Sequence, residues 1–129
     1  MANVYYPLFD AHIRLEHWSA ALNQGPVAAQ NMLDQHVEYH KIPYFFSDQY
    51  DLGLEYHGFA AHWDQIVYRG DPTNRELIVF WLNAGIPLAG MNINVWDQSE
   101  HITNLVAARH PVNPAHLANP DIDLISLLV

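Results

Sequence analysis

Ile42-Pro43-Tyr44-Phe45-Phe46-Ser47-Asp48-Gln49-Tyr50-Asp51 places three aromatic residues in a row behind a proline and then breaks at once into Ser-Asp-Gln. Such a run suits a strand or turn at the rim of an apolar cavity, with hydrogen-bonding residues at its open end. Alternate side chains of a strand point to opposite faces, so the triplet is equally compatible with plain core packing. Chemistry alone leaves both readings open and favours packing.

Outward from this stretch, the downstream chain reads as a series of strands. Gly53 to Phe59, Gln65 to Tyr68, Leu77 to Leu82 and Pro87 to Val95 are rich in valine, isoleucine and aromatics. Arg69-Gly70-Asp71-Pro72 and Asn83-Ala84-Gly85 punctuate them as turns, the second suited to a hairpin with its glycine in the left-handed region. Short connections between successive strands predict antiparallel pairing. After Trp96 a helix is expected, with Asp97 as N-cap and Glu100 three residues on completing a capping-box pattern. Ile102, Leu105 and Val106 then face the sheet. The proline-rich stretch from Pro111 to Pro120 reads as a surface loop with room for one helical turn, and Asp121 to Leu128 as a short closing helix.

On the N-terminal side, Glu16 to Leu33 has helical periodicity. Trp18, Ala21, Leu22, Gly25, Ala29, Met32 and Leu33 recur at spacings that would line one buried face. Gly25-Pro26 interrupts it, so a kink or break is expected there. Asp34 to Lys41 is a polar connection. The expected fold is α+β, an antiparallel sheet of about four to five strands covered by helices, in one domain spanning 1–129.

Composition narrows the partners. Fourteen acidic residues against five basic ones give a formal charge of -9, so nucleic acid and anionic membrane surfaces are not expected to bind. Half of the residues are hydrophobic and 15% are charged, which fits a folded chain. With no cysteine, disulfides and thiolate chemistry are excluded. No secretory leader pattern and no membrane-length apolar stretch occur in the sequence, and a cytoplasmic location is the expectation.

Nine histidines raise a metal reading. His36-Val37-Glu38-Tyr39-His40 spaces two imidazoles four apart, which on a helix share a face. The order differs from H-E-x-x-H, and a structural zinc needs four ligands that no cysteine can complete here. Solvated surface histidines are the simpler reading, and no metal ligand is assigned. No G-x-G-x-x-G, P-loop or nucleophile elbow is present. Asp48 and Asp51 suit turn capping better than acid–base work, and no residue is assigned as catalytic.

Several motifs nevertheless follow one another in a recognisable order. Arg14-Leu15-Glu16-His17-Trp18-Ser19-Ala20-Ala21-Leu22-Asn23-Gln24-Gly25 is followed by Ala28-Ala29-Gln30-Asn31-Met32-Leu33, then by the Tyr44 to Asp51 stretch and Gly53-Leu54-Glu55-Tyr56-His57-Gly58. Arg69-Gly70-Asp71, Gly90 to Asp97, Pro111-Val112 and Leu117-Ala118-Asn119-Pro120 complete the series. Together they resemble the C-terminal region of FAD-dependent NAD(P)H:ferredoxin reductases of the apoptosis-inducing-factor-like, oxygenase-coupled group. The likeness covers nearly the whole chain.

That resemblance implies a parent enzyme in which NAD(P)H reduces FAD and electrons leave singly to a [2Fe-2S] ferredoxin. It implies that the FAD- and NAD-binding domains lie outside these residues. In the family a Gly-Asp pair that contacts the flavin precedes A-x-x-x-x-P-L-F, and this chain starts just after that point, at Met1 to Phe9. By the same resemblance His17 and Trp18 stand at a helix start aimed at the flavin, and Tyr44 and Phe46 form part of the same cavity wall. Many relatives have tryptophan where Tyr44 and Phe46 stand, so the resemblance implies an apolar screen there and leaves an electron-relay role open. A chain without its partner domains should bind neither FAD nor zinc tightly, should not turn over, and should associate into a homo-oligomer through exposed apolar surface. Ferredoxins are acidic, so the basic docking surface is expected on the other domains. The rival expectation is a free-standing dimerising or histidine-based metal-binding module.

Overall fold

The computed structural model describes residues 2–128. The chain folds as two compact units, Met1–Phe45 and Phe46–Val129.

The first unit opens with a small hairpin. Strands β1 (Asn3–Tyr6) and β2 (Ala11–Arg14) pair antiparallel, with Val4 opposite Ile13 and Tyr6 opposite Ala11. A 3-10 turn over Pro7–Phe9 joins them, and Asp10 closes it in the left-handed region at φ 48°. Helix α1 (Trp18–Met32) follows. Its extent matches the sequence periodicity, and Pro26 sits inside it without breaking it. Its burial does not match. Ala20 is the helix's buried residue, whereas Trp18, Leu22, Met32 and Leu33 are 72%, 56%, 85% and 73% exposed. Periodicity identifies side chains that share a face; it does not supply the surface that covers them.

The small core of this unit is Tyr6, Ile13, Leu15, Ala20 and Tyr39. Tyr6 and Tyr39 meet edge-on, centroids 5.3 Å apart at 89°, and Gln24 Nε2 donates to the Tyr6 hydroxyl at 3.2 Å. Burial first, then the neighbouring Tyr6, push the Tyr39 hydroxyl up to about 12. In the unfolded chain that proton leaves near pH 10. The folded state therefore gains from holding it, a gain complete below about pH 10 and lost as pH rises towards about 12. Denaturant midpoints should fall across that window, and the fall should be shallower in Tyr39→Phe. Equal slopes would contradict the assignment.

The larger sheet has the order β3-β4-β7-β6-β5, from strands β3 (Tyr44–Gln49), β4 (Leu52–Gly58), β5 (Gln65–Asp71), β6 (Glu76–Asn83) and β7 (Ile86–Ile93). The β4/β7, β6/β7 and β5/β6 pairs are antiparallel. The Asn83-Ala84-Gly85 stretch makes the tight β6–β7 hairpin, Asn83 facing Ile86, with Ala84 and Gly85 at φ 49° and 79°. The Arg69 to Pro72 stretch is not a turn throughout: β5 runs on to Asp71 and the reversal lies beyond it.

Helix α2 (Ser99–Ala108) packs on one face of the sheet, followed by the short α3 (Pro114–Ala118) and a 3-10 turn, Leu124–Leu128. Ile102, Leu105 and Val106 of α2 are buried, as their spacing requires. They join Val67, Ile78, Phe80, Leu82, Leu117 and Leu124 in the core. Gly90 makes this approach possible, because a Cβ there would stand 2.5 Å from Ile102 Cγ2 and 3.0 Å from Phe80 Cε1. The expected capping pair at Asp97 does not form. Asp97 lies in the left-handed region at φ 61°, and Gln98 is the N-cap without a side-chain bond. The Ser99 hydroxyl instead donates to Glu55 Oε2, which also accepts from Asn92 Nδ2 at 2.9 Å. No helix among the described residues is long and apolar enough to cross a membrane.

Candidate functional site

In the first unit the chain approaches α1 through Arg14 and Glu16, which pair with each other at 2.7 Å on the surface. His17 is the N-cap residue, with extended backbone (φ -104°, ψ 148°), and its side chain makes no capping bond. The leading N–H groups of a helix have no intrahelical partner, and the helix dipole adds partial positive charge there. The start of α1 is thus a concentration of donors that no capping side chain satisfies.

The His17 ring is half-buried, and its Nδ1 is enclosed with no hydrogen-bond partner among the described residues. Loss of hydration pushes its pKa below the ordinary histidine value, so the ring is neutral near pH 7. Its centroid lies 4.7 Å from that of Phe45, the planes inclined by 50°. Trp18, the next residue, projects its indole largely into solvent at 72% exposure.

Tyr44 opens β3 and is half-buried, while Phe46, in the second unit, is 54% exposed. Strand alternation sets Tyr44 and Phe46 on one side of β3 and Phe45 on the other. The structure therefore joins His17 to Phe45, the triplet member that sequence reading left as packing. The same alternation, applied to the triplet, separates Phe45 from its neighbours and marks it for a different contact.

The histidine pair of the metal reading does not share a helix face. Residues 35–43 form no helix, His36 sits at φ 52°, and His40 Nε2 meets Glu38 Oε2 at 3.1 Å on the surface. No group of three or more potential ligands positioned for a metal ion occurs among the described residues. A cavity of about 330 Å³ in the first unit is lined by Val4, Tyr5, Gln24, Val27, Asn31 and Tyr39, among others. His17 and Trp18 are not among its walls.

In the second unit the polar interior belongs to the α2 attachment. Asn92 is fully buried and His57 nearly so, at 0% and 5% exposure. Thr103 Oγ1 lies 2.9 Å from His57 Nδ1 and donates to Ser99 O at 2.7 Å. Burial lowers the His57 pKa, and Glu55 partly opposes that. These bonds fasten α2 to β4 and β7.

Residues 44–128 match a family model described as Reductase C-terminal, and the chain belongs to that family. Over 125 residues it is 34% identical to the ferredoxin–NAD(+) reductase component of the anthranilate 1,2-dioxygenase system of Burkholderia cepacia, covering 96% of this chain and 31% of that protein. Among solved structures it is similar to a chain of the covalent putidaredoxin reductase–putidaredoxin complex, with a TM-score of 0.85, 27% identity, and coverage of 96% and 30% of the two chains. The ferredoxin reductase for the CYP199A2 system of Rhodopseudomonas palustris gives a TM-score of 0.87 at 25% identity, covering 99% and 32%. The chain thus spans about a third of the length of these relatives.

Proposed function

We propose that this chain serves as the C-terminal, flavin-covering part of a reductase that carries electrons from NAD(P)H through FAD to a [2Fe-2S] ferredoxin, and that it has no turnover alone. Both compact units act in this reading as one C-terminal piece. The observation that carries it is the start of α1, where uncapped N–H groups, the half-buried His17 imidazole and the exposed Trp18 ring occur together. Donors, positive dipole and an aromatic surface suit the pyrimidine edge of a flavin, which becomes negative on reduction. The chemistry that FAD supplies when bound is acceptance of a hydride and release of electrons one at a time.

This chain's own residues bind and screen. The α1 N–H groups and His17 favour the negative edge and so raise the readiness of the flavin to be reduced. Trp18 and Tyr44 supply apolar surface that keeps water from the ring system. The exposed apolar residues of α1 also favour self-association of the isolated chain. A cytoplasmic setting fits a reaction fed by NAD(P)H.

The test is transplantation. The chain is placed in the Burkholderia cepacia reductase in exchange for its matching segment, and NADH-dependent reduction of that system's ferredoxin is followed. Turnover by the chimera, with none by the chain mixed with free FAD and NADH, is the expected result. A chimera that folds and binds FAD yet passes no electrons would contradict the reading.

A further inference from the structure

Phe45 is the middle residue of the aromatic triplet and the one that the proposed pocket wall does not use. Its ring lies 4.7 Å from that of His17 at 50°, within the separations at which aromatic rings attract. Little else holds the imidazole. It makes no capping bond to α1, and its Nδ1 has no hydrogen-bond partner among the described residues. Arg14 and Glu16, the charges that lead into it along the chain, are paired with each other. We propose that Phe45 is a positioning residue, whose ring fixes the His17 imidazole in place at the uncapped start of α1.

The function of this contact rests on the reading of His17 as flavin-facing; the contact itself belongs to this chain. A ring packed against a phenyl ring loses rotamer freedom and water together. Dehydration is the cause of the lowered His17 pKa, with no carboxylate or cation contributing. With no acceptor at Nδ1, the proton of the neutral ring is better placed on Nε2. Phe45 thereby keeps His17 neutral, in one tautomer and in one orientation, before any partner arrives.

The test is NMR of histidine-labelled 129-residue chain, in which the His17 resonances are assigned by His17→Gln. In the wild type, His17 should show ring-current-shifted carbon-bound protons, the Nε2-protonated tautomer, and a titration midpoint below about 6.5. Phe45→Leu retains apolar bulk without the ring and should return the midpoint towards that ordinary value and abolish the ring-current shift. Phe45→Tyr retains the ring and should preserve both. In the chimera described above, Phe45→Leu should lower kcat with little change in the KM for NADH, and Phe45→Tyr should restore it. A wild-type His17 with no ring-current shift would overturn the proposal even if Phe45→Leu fails to fold. So would a folded Phe45→Leu chain whose His17 shift and midpoint are unchanged. Those NMR results stand apart from the transplantation result, since a chimera without turnover leaves them as they are.

Discussion

Replacing Phe80 by alanine should lower the unfolding free energy by about 3–5 kcal/mol, the range expected when a fully buried aromatic is truncated. Phe80 has no exposed surface and lies on β6 among Ile78, Leu82, Ile102 and Leu105. Its ring edge fills the space that Gly90 leaves open beneath α2. Close packing on both sides leaves little room for collapse into the void, so the cavity penalty adds to the lost transfer energy. Urea denaturation should show the loss as a lower midpoint with an unchanged slope. A change below about 1 kcal/mol would mean that the site relaxes freely and that Gly90 is not a close-packed contact.

Arg69→Ala is the second large effect, expected at about 2 kcal/mol by the scale of charged hydrogen bonds, discounted because the guanidinium is partly solvated. Arg69 donates to four main-chain carbonyls of the C-terminal tail: Leu117 at 3.3 Å, Pro120 at 3.2 Å, Ile122 at 2.7 Å, and Asn119. One side chain thus gathers four carbonyls of an irregular segment. Leu117 and Leu124 anchor the same segment in the core, so the tail should loosen without detaching. Hydrogen exchange should accelerate at 117–122 while β6 and β7 stay protected. Arg69→Lys should recover only part of the loss, because an ammonium cannot fork across several carbonyls. Full recovery by lysine would contradict the clamp.

Much of this architecture is legible in the sequence, for physical reasons that differ by element. The strands β4 to β7 declare themselves because β-branched and aromatic residues run between turn residues with special backbone needs, as at Ala84 and Gly85. Helix α2 is legible through Ile102, Leu105 and Val106, but its start is not. Asp97 does not cap it, and the first helical residue, Ser99, instead engages Glu55 on β4, a contact that local spacing does not encode.

The β1–β2 hairpin escapes reading because each strand has four residues and its turn uses Asp10, a non-glycine residue, in the left-handed region. Helix α1 is the instructive case. Its extent follows from periodicity, yet its apolar face stays open at Trp18, Leu22 and Met32. His17 and Trp18 are found by motif, but the partner of His17 is 28 positions away, at Phe45, and only the folded chain brings them together.

The most direct measurement of the central claim reads Trp18 itself. In the chimera labelled with 5-fluorotryptophan, the Trp18 fluorine signal, assigned by Trp18→Phe, is compared before and after FAD is added to the flavin-free protein. Trp18 is 72% exposed in this chain, and the account predicts that its signal shifts and becomes shielded from solvent when the flavin binds. A flavin that binds and supports turnover while the Trp18 signal stays unchanged would contradict the placement of the α1 start against it.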